Sequence, residues 1–335
     1  MELLSVSGLL VVACVLYFVM QLFRFIKADA DLTLLWAERF GFSPESKLPG
    51  NVVWVTGASS GIGEELCHQL ARMGSRLALS SRRKDELQRV KQKCLEISNL
   101  EDKDVLIVPL DLIDASTHQA ATESVLKHFG QIDILINNGG RSQRSLFVET
   151  ELEVYRALIE VNYLGTASLT KHVLQHMIDR KKGKIISVSS ITGFIGVPLS
   201  SGYAASKHAL QGFLNSIRTE LASYPDITIS IVCPGPVQSK VVENAFTEKV
   251  CENHTTKADQ SYKMPTKRCA RLILVTIANN LLETWISDQP YLVIFYLWQY
   301  MPTWAWWLTA RVGARRIQNF KSGLDADSSY LKKTK

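Results

Sequence analysis

A glycine-rich turn, set between an apolar run and a helical pattern, constrains the fold of this chain more than any other feature. The apolar run covers residues 51–56, as expected for a strand that is buried on both faces of a parallel sheet. Gly57, Gly61 and Gly63 follow, and a helical pattern then continues to Ala71. This order is the setting of a dinucleotide site, because the glycines let the backbone approach a pyrophosphate and the helix N-terminus attracts it. The alternative is a glycine-rich turn that binds nothing.

Five further apolar runs alternate with helical patterns along the chain. They cover residues 76–80, 105–109, 132–136, 184–188 and 228–233. Strands that alternate with helices predict an α/β fold, here a Rossmann-type doubly wound parallel sheet in a single domain. We predict one long helix over residues 152–180 and another that carries Tyr203 and ends near Ser223.

The end of the second predicted strand favours NADP(H) over NAD(H). An acidic residue usually holds the ribose 2′-hydroxyl of NAD at this place, whereas this chain has Arg82 and Arg83 after two serines. An arginine suits a 2′-phosphate. The alternative is that both arginines only begin the next helix and face solvent.

Polar residues also follow the third and fourth predicted strands. Asp111 either hydrogen-bonds the adenine edge of a cofactor or caps a helix that starts near Ala115. Asn137 and Asn138 precede two glycines, which let the backbone pass close to a cofactor.

A tyrosine and a lysine four residues apart, Tyr203 and Lys207, lie on one face of their predicted helix. A free tyrosine has a pKa of about 10, and a nearby ammonium group lowers it toward the pH at which acid/base catalysis operates. Ser190, upstream, offers a hydroxyl that stabilises negative charge on a carbonyl oxygen. The alternative is a core tyrosine and a surface lysine at helical spacing by chance.

These features stand in one order and together resemble the classical short-chain dehydrogenase/reductase family over residues 50–285. The residues that carry the resemblance are Thr56-Gly57-x3-Gly61-Ile62-Gly63, Asn137-Asn138-Gly139-Gly140, Asn162, Ser190, Tyr203-x3-Lys207 and Pro234-Gly235. Two positions depart from the family pattern: Gly139 replaces an alanine, and Ser239 replaces a threonine that often binds the nicotinamide carboxamide.

The resemblance implies a role for each catalytic residue. Tyr203 gives a proton to the carbonyl oxygen as hydride arrives from the nicotinamide, and Ser190 positions that carbonyl. Lys207 lowers the pKa of Tyr203 and binds the nicotinamide ribose, and Asn162 holds a water that links Lys207 to solvent. Besides Tyr203 and Lys207, the expected cofactor contacts are Gly57, Ser59, Ser60, Gly61, Ile62, Gly63, Arg82, Arg83, Asp111, Asn138, Pro234 and Ser239.

The N-terminus predicts a membrane anchor over residues 1–27. Leu3 to Phe23 carries no charge and is long enough to span a bilayer. A cleaved signal peptide is the alternative, but no basic residue precedes the run and no clear cleavage site follows it. Arg24 and Lys27 come directly after the span, which places the rest of the chain in the cytosol. A glycosylation sequon at Asn253 would matter only in the lumen, so orientation stays open.

Two segments flank the catalytic region. Residues 28–49 form a connector in which Asp31 to Phe40 predicts a short amphipathic helix, lying against the membrane or the domain. Residues 286–335 form an extension, of which 291–310 is uncharged and rich in aromatic residues. It is a second span, a helical hairpin packed on the domain, or a membrane-dipping lid over the substrate entrance. Arg311, Arg315 and Arg316 then meet lipid head groups or form a solvated helix end.

Composition excludes other classes of protein. The net charge of +6 comes from dispersed basic residues without a nucleic-acid-binding stripe. The six cysteines form no CxxC motif and no cluster with zinc spacing. We therefore expect no nucleic-acid partner and no metal.

The resulting prediction is an NADPH-dependent reductase of lipophilic carbonyl compounds. The resemblance implies retinal, oxo-steroids or aromatic xenobiotic carbonyls as substrates, a single-pass location in the endoplasmic reticulum membrane, and a homodimer. The first alternative is an NAD(P)+-dependent retinol or hydroxysteroid dehydrogenase that uses the same residues in the oxidative direction. The second is a cofactor-binding scaffold without catalysis.

Overall fold

The computed structural model describes residues 2–251, 260–324 and 326, so the sequon at Asn253 lies outside the described residues. Seven parallel strands form one sheet in the order β3-β2-β1-β4-β5-β6-β7. They are β1 (Val52–Thr56), β2 (Arg76–Ser80), β3 (Val105–Ile107), β4 (Ile134–Asn137), β5 (Gly183–Val188), β6 (Ile227–Pro234) and β7 (Glu283–Ile286). The predicted Rossmann-type doubly wound sheet is confirmed, with β7 as a strand that the sequence did not predict.

Twelve α-helices surround or extend this sheet in the described residues. They are α1 (Glu2–Ile26), α2 (Leu32–Phe40), α3 (Pro44–Lys47), α4 (Gly61–Arg72), α5 (Lys84–Glu96), α6 (His118–Phe129), α7 (Leu152–Ile159), α8 (Gly165–Arg180), α9 (Ser201–Glu220), α10 (Thr266–Ala278), α11 (Tyr291–Tyr300) and α12 (Pro302–Lys321).

The core lies on both faces of the sheet, because side chains alternate along each strand. Val53 and Val55 of β1 belong to one apolar cluster, which is completed by α4, α5 and α10. Trp54 between them belongs to the other, which is completed by α6, α8 and α9. Every residue of β1 is buried, as the apolar run predicted.

The strand order reverses between β1 and β4, and this position determines where a ligand binds. From β1 the chain builds outward through β2 and β3, and from β4 it builds in the other direction through β5 to β7. In open α/β sheets the crevice at such a switch point, outside the carboxyl ends of the strands, is the ligand site. The glycine-rich turn, the arginine pair, Asp111, the double asparagine, Ser190 and Pro234-Gly235 each lie at or shortly after the end of one of these strands.

The long helix predicted over residues 152–180 is interrupted in the middle. A π-helical turn, Glu160–Leu164, separates α7 from α8 and contains Asn162. Such wide turns are frequently found at functional sites. The second predicted long helix, α9, ends at Glu220 and is followed by a 3₁₀ turn, Leu221–Ser223.

The two flanking segments both pack on the domain. Helix α2 lies against α10 and β7. Helices α11 and α12 form a hairpin whose Phe295 is fully buried against Phe194 and Trp285. The interpretation of residues 291–310 as a second span is wrong, because α11 has 10 residues, which reach about 15 Å, and Pro302 starts a new helix. Among the described residues, only Gly8–Ile26 has the length and composition of a span.

Candidate active site

The turn between β1 and α4 has a backbone shape that requires glycine. Gly57 has a φ of +64°, and a Cβ at this position would lie 2.8 Å from the Cα of Gly139. Asn138 Nδ2 stabilises the turn by donating hydrogen bonds to the backbone oxygens of Thr56 at 3.0 Å and Gly57 at 3.3 Å. The cleft passes directly beside the first residues of α4. Backbone amides at that helix end fit a pyrophosphate.

Two arginines line the far end of the cleft, where a cofactor's adenosine ribose would lie. Arg82 and Arg83 both face the cleft, and Arg83 Nη2 donates to Ser59 Oγ at 3.1 Å. Both side chains are nevertheless exposed and Arg83 directly precedes α5, so their contact with a cofactor stays a prediction. Two guanidinium groups and serine hydroxyls fit a 2′-phosphate, since arginine binds phosphate oxygens with parallel hydrogen bonds.

Asp111 lines the same end of the cleft. Its Oδ1 accepts a hydrogen bond from the Ile113 amide at 3.2 Å, which shapes the loop after β3. The helix-capping alternative for Asp111 is wrong, because Asp114 accepts the amide of Ser116 at the start of the next 3₁₀ turn. Contact of Asp111 with an adenine stays a prediction.

Ser190, Tyr203 and Lys207 meet at the other end of the cleft. Lys207 Nζ donates to the backbone oxygen of Val188 at 2.9 Å and lies 5.8 Å from the centre of the Tyr203 ring. Ser190 Oγ accepts from the amide of Thr192 at 3.2 Å and donates to the backbone oxygen of Pro234 at 3.4 Å, and both Ser190 and Pro234 line the cleft. The structure thus brings together the three residues that could polarise and protonate a carbonyl.

Burial dominates the electrostatics of this group. It raises the pKa of Tyr203, and the Ser190 hydrogen bond and the charge of Arg144 act against it. The net direction is opposite to the one that the sequence predicted, because desolvation of the phenolate outweighs the nearby positive charges. Burial also lowers the pKa of Lys207 to about 8.

Asn162 lies behind this group and not on the cleft wall. Its Oδ1 accepts from the Arg141 amide, and its Nδ2 donates to the Arg141 carbonyl and to Ser206 Oγ, each at 2.9 Å. A Cβ on Gly140 would lie 2.8 Å from Asn162 Oδ1 and 3.8 Å from Lys207 Nζ, so Gly140 adjoins both side chains. The water link from Asn162 to solvent stays a prediction.

The residues after the double glycine hold the catalytic helix, a feature that the sequence analysis missed. Gln143 is fully buried, and its Oε1 accepts from the amides of Gly202 at 2.7 Å and Tyr203 at 3.3 Å. These amides belong to the first turn of α9, where helix donors lack partners. Arg144 Nη1 donates to Ser200 Oγ at 3.1 Å just before the helix. The only sequence feature that pointed to Gln143 and Arg144 was their position shortly after the Asn-Asn-Gly-Gly motif.

The C-terminal hairpin also contributes to the cleft wall. Tyr291 of α11 and Arg316 of α12 both line it, and Arg316 Nε donates to the backbone oxygen of Pro198 at 3.2 Å. For Arg316, the sequence predicted either contact with lipid head groups or a solvated helix end. Its position on the cleft wall differs from both predictions. The aromatic composition of the extension gave no signal for this contact.

These parts enclose one cavity of about 550 Å³. It contacts every predicted site residue except two, Asn162 and Gly63. A Cβ on Gly63 would lie 2.3 Å from the backbone oxygen of Gly57, so Gly63 allows α4 to pack against the turn and does not touch the cleft. The wall includes Ser60, Gly61, Ile62, Pro234 and Ser239 beside the residues described above.

Comparison with curated proteins shows strong similarity over nearly the whole chain. The chain is 62% identical over 324 residues to the human protein named dehydrogenase/reductase SDR family member 7, covering 97% of this chain and 96% of that one. It is 62% identical over 310 residues to the mouse protein of the same name, covering 92% of each. A Drosophila melanogaster protein named dehydrogenase/reductase SDR family protein 7-like is 35% identical, covering 79% of this chain and 81% of its own length.

Solved structures share the fold at lower identity. An alcohol dehydrogenase from Thermococcus sibiricus, complexed with 5-hydroxy-NADP, aligns with a TM-score of 0.60 at 24% identity, covering 71% of this chain and 97% of its own. A short-chain dehydrogenase/reductase from Burkholderia phymatum in complex with NAD aligns with a TM-score of 0.65 at 19% identity, covering 84% and 97%. The sequence model described as short chain dehydrogenase matches residues 51–250. The predicted family is thus confirmed: this chain belongs to the short-chain dehydrogenase/reductase family of oxidoreductases.

Proposed function

We propose that this protein is an NADPH-dependent reductase of ketones and aldehydes on lipophilic molecules. The observation that carries the proposal is the shared cavity: Ser190, Tyr203 and Lys207 line one end, and Arg82 and Arg83 line the other. One ligand with a phosphorylated ribose and a reactive ring can therefore reach both ends, with the glycine turn between them.

The chain's own residues protonate and orient the substrate. When bound, the nicotinamide supplies a hydride to the carbonyl carbon. Ser190 Oγ donates a hydrogen bond to the carbonyl oxygen, and Tyr203 gives that oxygen its proton as negative charge develops there. Lys207 would hold the nicotinamide ribose. Its pKa of about 8 lets it exchange protons near neutral pH and so return one to Tyr203.

The electrostatics of Tyr203 suit its proposed role as the proton donor in reduction. Reduction needs a protonated phenol as proton donor, whereas oxidation of an alcohol needs the phenolate as base. Burial raises the pKa of Tyr203, so the phenol stays protonated throughout the neutral range. The same residues catalyse both directions, and the pKa of Tyr203 determines which protonation state is available at the start.

The remaining cavity wall supports a lipophilic substrate. Beyond the catalytic group it includes five aliphatic side chains and one aromatic ring, namely Ile191, Ile195, Val197, Val241, Val242 and Tyr291. Basic side chains such as Arg144, Lys263 and Arg316 also line it. Apolar walls with a few polar groups are typical of sites for lipophilic small molecules. We propose retinoids, oxo-steroids and aromatic carbonyl compounds as the classes to test.

A membrane location fits such substrates. We propose that α1 is a retained single-pass anchor in the endoplasmic reticulum membrane. Its 25 residues reach about 37 Å, more than the hydrocarbon core of about 30 Å. Apart from Phe25, which is partly buried, the large apolar side chains of α1 from Leu9 to Ile26 are exposed, so α1 is not a core helix of the domain.

The test is cofactor oxidation by the full chain in detergent, with NADPH or NADH and a panel of retinal, steroid ketones and aromatic diketones. We expect turnover with NADPH, at least tenfold weaker turnover with NADH, and none for Tyr203→Phe. Tyr224→Phe is the matched control, because Tyr224 packs in the core away from the cleft. Turnover of alcohols with NADP+ and none of carbonyls with NADPH would reverse the proposed direction. Cofactor binding without turnover in either the reductive or the oxidative direction would support the alternative of a non-catalytic scaffold.

A further inference from the structure

Helix α2 has two opposite apolar faces, of which the domain covers only one. Leu34 and Ala37 are buried, at 0% and 3% exposure. Leu32, Trp36 and Phe40 recur every four residues on the other side and are 63–65% exposed. A helix that is apolar on both sides needs two partners, and the domain provides one.

The hairpin α11–α12 repeats this arrangement. Phe295 and Ala305 on its inner side are fully buried in the domain. Tyr300, Trp304 and Trp307 on its outer side are 76%, 65% and 54% exposed. Tryptophan and tyrosine are the residues enriched at the boundary between lipid and water.

Tyr296 joins these two faces to the end of α1. Its ring lies 6.4 Å from that of Phe25 in α1, and its hydroxyl interacts with the backbone of Leu32, the first residue of α2. Gln289 Nε2 also donates to the backbone oxygen of Phe25 at 3.1 Å. Since α1 ends at Ile26, both exposed faces lie beside the point where the chain leaves α1.

Acidic and basic side chains near this junction have different surroundings: the acidic ones bind the domain, and the basic ones are exposed. The four carboxylates of residues 24–47 all bind the domain. Asp29 and Glu38 pair with Arg268, and Glu45 pairs with Arg271. Asp31 accepts the Leu34 and Trp285 amides.

The four basic residues of the same segment, Arg24, Lys27, Arg39 and Lys47, are exposed. Lys27, Arg39 and Lys47 lie over the rings of Phe23, Phe40 and Phe42. In the described part of the chain, none of these three forms an ion pair with an acidic side chain. Positive charge around exposed aromatic rings matches an anionic lipid surface.

We propose that the exposed faces of α2 and the hairpin form one interfacial surface that rests on an anionic bilayer beside α1. This surface consists of Leu32, Trp36, Phe40, Tyr300, Trp304 and Trp307. The inference rests on the anchor proposed above, because α1 brings the bilayer to this side of the domain. The bilayer is favoured over a second copy of the chain, because only five residues separate α1 from α2 and both faces adjoin the anchor.

Tryptophan fluorescence of the full chain in nanodiscs tests the surface separately from the anchor. Four of the seven tryptophans are exposed, namely Trp36, Trp304, Trp306 and Trp307, and α1 contains none. Quenching by phosphatidylcholine that carries a nitroxide near its head group therefore reports on α2 and the hairpin and not on α1. We expect quenching of the wild type, and a smaller quenched fraction for Trp36→Phe and for Trp304→Phe. Trp54→Phe removes a buried tryptophan and should raise the quenched fraction.

Replacing about a third of the lipid by phosphatidylserine tests the charge. We expect stronger quenching of the wild type, and no such increase for the double variant Arg39→Gln, Lys47→Gln. Unchanged quenching in both tryptophan variants would overturn the proposal. So would a dimer that is lost in Trp36→Glu, since it would assign the surface to a second copy. Failure of the anchor has a different signature, namely release of the chain from vesicles by alkaline carbonate.

Discussion

Gln143 Oε1 accepts a hydrogen bond from the backbone amide of Gly202 at 2.7 Å and so caps the helix that carries Tyr203. The Gln143 backbone pairs with Phe246 in a β-bridge, and Gln143 Nε2 donates to Ser145 Oγ at 3.0 Å. Ser200, the residue before α9, makes no side-chain cap of its own. The orientation of the proton donor therefore depends on a side chain about 60 residues earlier.

Gln143→Met should lower kcat by about tenfold or more while the KM for NADPH changes little. The substitution keeps the volume but removes the acceptor, which leaves buried amides without a partner at a cost of about 1–3 kcal/mol. Small displacements of a catalytic group are known to cost up to about a hundredfold in rate. Steady-state kinetics with a carbonyl substrate that the wild type reduces will give kcat and the KM for NADPH separately.

Gln143→Glu is the rescue variant for this position. A carboxylate keeps the acceptor oxygens, and negative charge is favourable at a helix N-terminus. It should recover most of the kcat that Gln143→Met loses. Equal losses in both variants, or a parallel rise in both KM values, would mean that Gln143 supports the fold only.

Arg82 and Arg83 should determine the preference for NADPH. Replacing both by serine removes charge-assisted hydrogen bonds to a 2′-phosphate, each worth about 1.5–3 kcal/mol. We expect the KM for NADPH to rise at least tenfold and the KM for NADH to stay within about twofold. Lys93→Gln in α5, the helix that follows the two arginines, is the control, because the Lys93 side chain pairs with Glu96 at the surface. Parallel changes for both cofactors would argue against a phosphate site at these arginines.

Lys207 should make folding stability depend on pH in the alkaline range. Its pKa is about 8 in the folded chain and about 10.5 in the unfolded chain. Between these values the unfolded state binds more protons, so the contribution of Lys207 to stability rises from pH 8 to pH 10.5. The thermal midpoint of wild type minus that of Lys207→Met should therefore increase over this window. A difference that is flat or falls with pH would show that Lys207 is not desolvated.

Much of the fold was predictable because buried strands leave continuous apolar runs in the sequence. Strand β7 left no such run, since its residues alternate between half-buried and buried and it has only four of them. The π turn at Asn162 was hidden because the helical pattern continues on both sides of it. Local patterns do not record a wide turn inside a helix.

The candidate site was predictable where its residues follow strand ends or recur at helical spacing. Contacts between segments that are distant in the sequence were not predictable. The acceptor of Gln143 reaches α9 through the tertiary structure, and Arg316 reaches the cleft only because α12 folds back on Pro198. The direction of the Tyr203 pKa shift depends on burial, which spacing alone does not reveal.

The central claim is that this chain transfers a hydride from NADPH to a carbonyl carbon with Tyr203 as proton donor. The most direct measurement uses NADPH deuterated at the transferred position of the nicotinamide ring and mass spectrometry of the alcohol product. We predict one deuterium per product molecule for the wild type and no product for Tyr203→Phe with cofactor binding intact. Product without deuterium, or full activity of Tyr203→Phe, would contradict the mechanism.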